Sequence, residues 1–337
     1  MSTNVTNPPP SGGLVWSSNE SPGLTRRRSG RGFCYRDPKG RLIRERSILM
    51  RIDALAIPPA WQDVWICPDP NGHIQATGRD ARGRKQYRYH ADWTARAASH
   101  KFARLPDFAR RLPRLHDRVE NDLSRRGPCK EKVLASAVRL LEITLIRVGN
   151  AAYARQNRSF GLTTLRKRHL EVDGSTLTFE FRGKSGKEHR VNVSDRRLAR
   201  VMRGLEGLPG QHLFKYRDAE GELWAISSDD VNAYIREAVG DQFSAKDFRT
   251  WAATVAAARA FYEMAPPTSQ TEARRNISTC MKAVASLLGN TPTVCRASYV
   301  HPRVIELYES GTITTCLPDP NAQSFDSRLA RLLSEPA

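Results

Sequence analysis

The sequence predicts an α+β chain: a small, mainly β domain first, then a larger, mainly α domain interrupted by one β-hairpin. Three observations predict this. Residues 33–90 carry short apolar runs separated by turn signals, Asp37-Pro38-Lys39-Gly40 and Pro68-Asp69-Pro70-Asn71-Gly72. From about residue 92 the apolar spacing changes to that of helices. Inside the helical part, residues 176–181 alternate, and residues 188–193 return after a turn at 183–187. At 337 residues the chain is long enough for about two domains.

Taken in order, residues 1–30 are rich in Ser, Pro, Gly and Asn and end near Arg26-Arg27-Arg28, which predicts a disordered basic arm. Residues 31–92 form the β-rich domain, with a short helix around Ile48, Ile52 and Leu55 stopped by Pro58-Pro59. Residues 93–104 are expected to be helix and linker. The mainly α domain then runs over 105–312, followed by a tail at 313–337. Its helices are expected at 108–123, 131–147, 195–204, 228–239, 246–264 and 270–288. Gly289 ends the last of these. Thr291 then reads as an N-cap and Pro292 as the first residue of a short helix that carries Tyr299 and stops before Pro302.

Lys and Arg number 54 against 35 Asp and Glu, a net charge of +19. A surplus of that size points to a polyanionic partner, nucleic acid above all. No run approaches the roughly 18 apolar residues of a membrane span, and the start of the chain lacks a secretory apolar region. The six cysteines are scattered and form no C-x-x-C pair, so neither a zinc site nor a disulfide framework is indicated. A reducing, cytoplasmic setting is expected. In residues 79–90 five cations face one acid. As a strand, Arg84, Gln86 and Arg88 would share one side and Lys85, Tyr87 and Tyr89 the other. Such residues suit base edges and phosphates, so Arg82, Arg84, Lys85, Gln86, Tyr87, Arg88 and Tyr89 are the candidate DNA-binding set.

Five further polar positions sit where elements end or a core helix exposes an edge. Arg147 precedes Gly149-Asn150, and Lys184 lies in the turn Arg182-Gly183-Lys184-Ser185-Gly186. Arg249 stands among Phe248, Trp251 and Val255, Asn290 occupies the break after Gly289, and Tyr299 ends the short helix. Gly183-Lys184-Ser185 is not a Walker A loop, because that motif needs glycine five residues before Gly183 and the position holds Thr178.

In this order the motifs resemble the type IB DNA topoisomerases, in particular the small bacterial and poxviral-type branch. They are Leu145-Ile146-Arg147-Val148-Gly149-Asn150, Phe181-Arg182-Gly183-Lys184, Lys246-Asp247-Phe248-Arg249-Thr250 and Leu288-Gly289-Asn290-Thr291-Pro292 through Ser298-Tyr299. The stretch from Gly83 to Tyr89 looks like that branch's DNA-contacting strand. The resemblance spans about residues 32–310 and implies the fold shared with tyrosine recombinases. It implies Tyr299 as nucleophile, Arg147 and Arg249 on the scissile phosphate, and Lys184 as general acid. Many relatives carry histidine where Asn290 stands; asparagine keeps a donor but moves no proton. Duplex DNA is the implied partner, a monomer the implied working form, and neither cofactor nor metal is called for. A tyrosine recombinase is the alternative, although Lys246 stands where recombinases usually place histidine. A non-enzymatic basic nucleoid protein would explain the charge but not the ordered motifs.

Overall fold

The computed structural model describes residues 13–335. The chain divides into two compact units, one ending at Lys101 and the other beginning at Phe102. Together they make the mixed α+β architecture: a first unit built on an antiparallel sheet and a larger, mainly helical second unit.

The first unit contains β1 (Leu24–Ser29), β2 (Gly32–Arg36), α1 (Arg46–Ala54), β3 (Gln62–Ile66), β4 (Ile74–Arg79) and β5 (Lys85–Tyr89), and α2 (Ala91–Ala103) leads out of it. The strands form one antiparallel sheet in the order β2-β1-β3-β4-β5. Leu24, Val64, Ile66 and Ala76 of the sheet pack with Ile52 of α1, and Ile48, Leu55 and Tyr35 close around them. Burial of these side chains is the main stabilising term.

The expected arm at 1–30 is corrected where the structure describes it; residues 1–12 lie outside the described residues. Thr25 to Ser29 pair along β2, and Leu24 and Thr25 pair with β3. Composition misleads here because the strand needs only one apolar anchor, Leu24, which is buried. Its arginines do the rest of the holding. Arg26 places its guanidinium 4.1 Å over the Phe33 ring and donates to the carbonyls of Pro58 (3.0 Å) and Trp61 (2.7 Å).

The second unit contains α3 (Leu105–Leu123), α4 (Lys130–Thr144), α5 (Ala151–Asn157), β6 (Leu170–Asp173), β7 (Thr176–Arg182), β8 (Glu188–Ser194) and α6 (Arg196–Glu206). It continues through β9 (Lys215–Arg217), β10 (Leu223–Ala225), α7 (Ser228–Val239), α8 (Ala245–Glu263), α9 (Gln270–Leu288), α10 (Pro292–Ser298) and α11 (Pro302–Glu309). Last come α12 (Ile313–Cys316) and α13 (Phe325–Leu332). Helices α3, α4, α7, α8 and α9 pack around Phe108, Val133, Leu140, Phe243, Phe248 and Phe261, all buried. The sheet β6-β7-β8 is antiparallel and contains the predicted hairpin.

The first compact unit runs to Lys101, past the boundary expected at 92, and two further differences lie in the second unit. The expected tail at 313–337 is folded through Glu335: α13 packs on α3 and buries Phe325 and Leu329. The helix expected over 131–147 ends at Thr144, because Leu145 takes a left-handed conformation (φ 54°). Asn150 then accepts a hydrogen bond from the Tyr153 amide and starts α5, a helix the sequence did not suggest. Arg147 therefore stands on a non-helical link between two helices.

Candidate active site

Each candidate side chain is delivered by a separate device. Arg249 lies one turn into α8, a helix whose start is held by Ser244 N and Oγ, which both donate to Asp247 Oδ2 (2.9 and 3.1 Å). Buried Asp247 is also held by Arg104 Nη2 at 3.0 Å, which neutralises it and fixes the start of the helix. Arg249 itself is 7% exposed. Its Nη1 donates to the Leu145 carbonyl and its Nη2 to the Leu288 carbonyl (2.7 Å), so one guanidinium ties down the ends of α4 and α9. The Nε is buried without a partner. Burial, and then the positive charge of Arg147, hold the Arg249 guanidinium below the usual arginine range.

Asn290 follows Gly289, which takes the left-handed position (φ 62°) that ends α9. Arg147 Nη2 donates to Asn290 Oδ1. Arginine has no acceptor, so this contact fixes the amide orientation and points Nδ2 the other way. That Nδ2 is buried without a hydrogen-bond partner of good geometry, its polar neighbour being the Cys295 thiol. Two buried donors, Arg249 Nε and Asn290 Nδ2, are thus left unsatisfied in one region. Orphans of this kind are uncommon in native interiors and fit a site built for an acceptor-rich ligand.

Tyr299 ends α10, as the sequence predicts. Thr291 caps that helix through its side chain, and Pro292 takes its first position. The Tyr299 amide donates to the Cys295 carbonyl (2.9 Å), and its own carbonyl accepts from Thr254 Oγ1 (3.2 Å). The ring lies 5.6 Å from the Arg249 guanidinium carbon. Lys184 is at the hairpin turn between β7 and β8, where Ser185 is left-handed (φ 65°).

The structure brings these positions to one place. Arg147, Lys184, Arg249 and Tyr299 line a single cleft of about 500 Å³, together with Tyr153 and Lys246. A smaller recess of about 190 Å³ shares Arg147, Lys184 and Arg249 with it and adds His189 and Gly289. Asn290 touches the cleft through Arg147 rather than lining it. Among the described residues, no group of three or more His, Cys, Asp or Glu side chains is placed to hold a metal ion.

Sequence reasoning missed three residues around this cleft. Thr254 holds the Tyr299 backbone, His189 packs beside the hairpin turn, and Lys187 Nζ donates to the Gly289 carbonyl (3.2 Å). His189 was within reach, because counting back through the hairpin places it opposite Phe181.

In the first unit, β5 carries the other candidate set. Arg84 pairs with Asp80 (2.7 Å), and Gln86 Nε2 donates to the same carboxylate (2.9 Å). The pair with Arg84 holds the Asp80 carboxyl well below the usual range, at about 2. Tyr87 and Tyr89 are exposed and stack at 5.8 Å, with Lys85 Nζ 5.4 Å from the Tyr87 ring. Lys85, Tyr87 and Tyr89 share one side of the strand, whereas Arg84 belongs to the turn before it.

Residues 90–315 match the family model described as the catalytic core of eukaryotic DNA topoisomerase I, and residues 32–80 match the N-terminal domain of bacterial DNA topoisomerase IB. The DNA topoisomerase 1B of Acanthamoeba polyphaga mimivirus is 33% identical over 295 residues, covering 86% of this chain and 88% of that protein. The chain belongs to the type IB DNA topoisomerases. Vaccinia virus DNA topoisomerase 1B (strain Copenhagen) is 22% identical over 237 residues, covering 68% of this chain and 71% of the viral one. DNA topoisomerase 1 of rabbit fibroma virus is 23% identical over 239 residues, covering 68% and 70%. As a member of the type IB family, the chain is a DNA-binding isomerase. The catalytic-core match encloses all five of Arg147, Lys184, Arg249, Asn290 and Tyr299, whereas the N-terminal match stops before β5.

Proposed function

We propose that this type IB topoisomerase relaxes positive and negative supercoils by two transesterifications at the cleft. Tyr299 Oη attacks a DNA phosphodiester and gives its own proton to solvent, forming a 3′-phosphotyrosyl bond as the bond to the 5′-oxygen breaks. Lys184 gives that leaving oxygen a proton. After strand rotation the 5′-hydroxyl attacks the phosphotyrosine and restores the strand. Bond energy is kept in the protein link, so no ATP is needed, and Arg147, Lys184 and Arg249 take the place of a metal ion. Arg147, Arg249 and Asn290 supply donors to the non-bridging oxygens, where negative charge grows in the transition state. The carrying observation is the convergence of Arg147, Lys184, Arg249 and Tyr299, from four separate segments, on one cleft. The enzyme works as a monomer on duplex DNA at the nucleoid, with β5 among its DNA contacts. No helix among the described residues is long and apolar enough to cross a membrane.

Relaxation is the direct test. Purified protein is expected to relax both positively and negatively supercoiled plasmid in EDTA with no nucleotide present. Strict dependence on magnesium or ATP would overturn the mechanism, and relaxation confined to paired target sites would favour a recombinase.

Asn290 can be tested separately. Asn290→Asp keeps the size and the partner Arg147 but replaces the buried Nδ2 donor with an anionic acceptor. Single-turnover cleavage should fall by at least ~10², the lower end for losing such a donor. Asn290→His restores a donor and should retain far more activity. Asn290→Gly is expected to be slow as well, because the left-handed end of α9 is already provided by Gly289. A fast glycine variant beside a slow histidine one would remove Asn290 from phosphate binding.

For β5 the readout is salt. Removing one phosphate-neutralising side chain should flatten the log–log salt dependence of DNA binding by about 0.9. Replacing Arg84, Lys85 and Arg88 together by alanine is expected to flatten it measurably. An unchanged slope would reduce the strand to an edge kept soluble by charge.

A further inference from the structure

Lys184 and the Asn290–Tyr299 segment belong to elements far apart in sequence, so proton donor and nucleophile need a spacer to hold their separation. The His189 ring stands between the hairpin turn and the turn at Gly289. His189 of β8 faces Phe181 of β7 across the ladder and stacks on it, ring centroids 5.1 Å apart and planes 9° apart. The free edge of the imidazole meets two glycines. A methyl at Gly183, next to Lys184, would fall 2.5 Å from His189 Cδ2 and 2.6 Å from Nε2. A methyl at Gly289, next to Asn290, would fall 3.1 Å from Cε1. The ring thus fits between the residue before the candidate acid and the residue before Asn290 because neither carries a side chain. Alongside, Lys187 from the same hairpin holds the Gly289 carbonyl at 3.2 Å.

We infer that His189 is a positioning residue, its ring being the spacer that registers the Lys184 hairpin against the Gly289-Asn290 turn. The inference rests on the reading of Lys184 as the donor of the leaving group's proton. The imidazole has the character of a neutral wedge. Burial first, then the charges of Arg147, Arg249 and Lys187, lower its affinity for a proton, and Glu188 opposes them. A neutral ring packed on Phe181 supplies shape at this point, and the cations around it supply charge.

The test compares single-turnover cleavage of two DNA substrates, one with the ordinary 5′-oxygen leaving group and one with sulfur in its place. A thiolate leaves without being protonated, so a defect in proton delivery disappears on sulfur. His189→Ala removes the spacer, lets the hairpin shift and is expected to slow the oxygen substrate about 10- to 100-fold, the scale of a misplacement near 1 Å. On the sulfur substrate it should approach the parent rate. His189→Phe keeps a ring on Phe181 without nitrogen and should recover most of the rate on oxygen. Equal His189→Ala defects on both substrates, no defect at all, or a His189→Phe variant as slow as His189→Ala would overturn the spacer. Lys184→Ala is run beside them. If sulfur fails to rescue it, the reading of Lys184 falls and takes the spacer with it. If sulfur rescues Lys184→Ala but not His189→Ala, the spacer alone falls.

Discussion

Tyr299→Phe is expected to bind duplex DNA as the parent does and to form no covalent adduct. The Tyr299 hydroxyl interacts with the Arg249 guanidinium, but the backbone that carries the ring does not depend on it. The backbone at Tyr299 is held by the Cys295 carbonyl and by Thr254 Oγ1, and neither bond involves the hydroxyl. Phenylalanine therefore keeps the end of α10 in place and keeps an aromatic face toward Arg249, 5.6 Å away in the parent. What disappears is the only atom of the side chain able to bond to phosphorus. Cleavage should drop below detection in a detergent-trapping assay, while binding measured by gel shift stays within a few-fold. An adduct in this variant would place the nucleophile elsewhere. Tyr153, which lines the same cleft, would be the first suspect, and Tyr262 of α8 the second.

Arg249→Ala is expected to produce the next largest loss, in both rate and stability. The rate of cleavage should fall by about 10²–10³, the usual effect of removing a donor from developing negative charge. Stability should fall too, because the same guanidinium holds the carbonyls of Leu145 and Leu288 at the ends of α4 and α9. Leaving a buried acceptor unpaired costs roughly 1–3 kcal/mol, so a lowered melting temperature should accompany the lower activity. Arg249→Lys separates the two effects. It retains a positive charge but has one head group, which cannot reach both carbonyls and still offer a donor to phosphate. The lysine variant should remain slow, with part of the stability restored. A rate within tenfold of the parent for Arg249→Ala would make Arg249 a helix tie and nothing more.

The site was more legible in the sequence than its surroundings. Glycine, threonine and proline at 289, 291 and 292 announce a helix stop and start, and Tyr299 falls at the end of the resulting helix. The apolar period of α4, α8 and α9 was equally plain. The end of α4 was not, because Leu145 adopts a left-handed conformation that leucine does not signal. What holds it is tertiary: the Leu145 carbonyl accepts from Arg249, more than a hundred residues along the chain. β1 was hidden for a related reason. Its arginines and serine read as an arm, whereas Arg26 is fixed by carbonyls of the 57–61 segment that no local pattern reveals. In α13 the spacing Phe325, Leu329, Leu332 is helical, but a helix of eight residues beside a polar stretch is a weak signal. His189 shows the same limit inside the site: its strand was predicted, while its place between Gly183 and Gly289 depends on how the hairpin meets the end of α9.

The most direct test of the central claim is to map the covalent link itself. The parent protein is trapped on a nicked duplex, the DNA and then the protein are digested, and the residual nucleotide is located by mass spectrometry. The expected result is one nucleotide, joined through its 3′-phosphate, on the peptide that contains Tyr299. A nucleotide on any other side chain, or one joined through a 5′-phosphate, would contradict the mechanism proposed for this cleft.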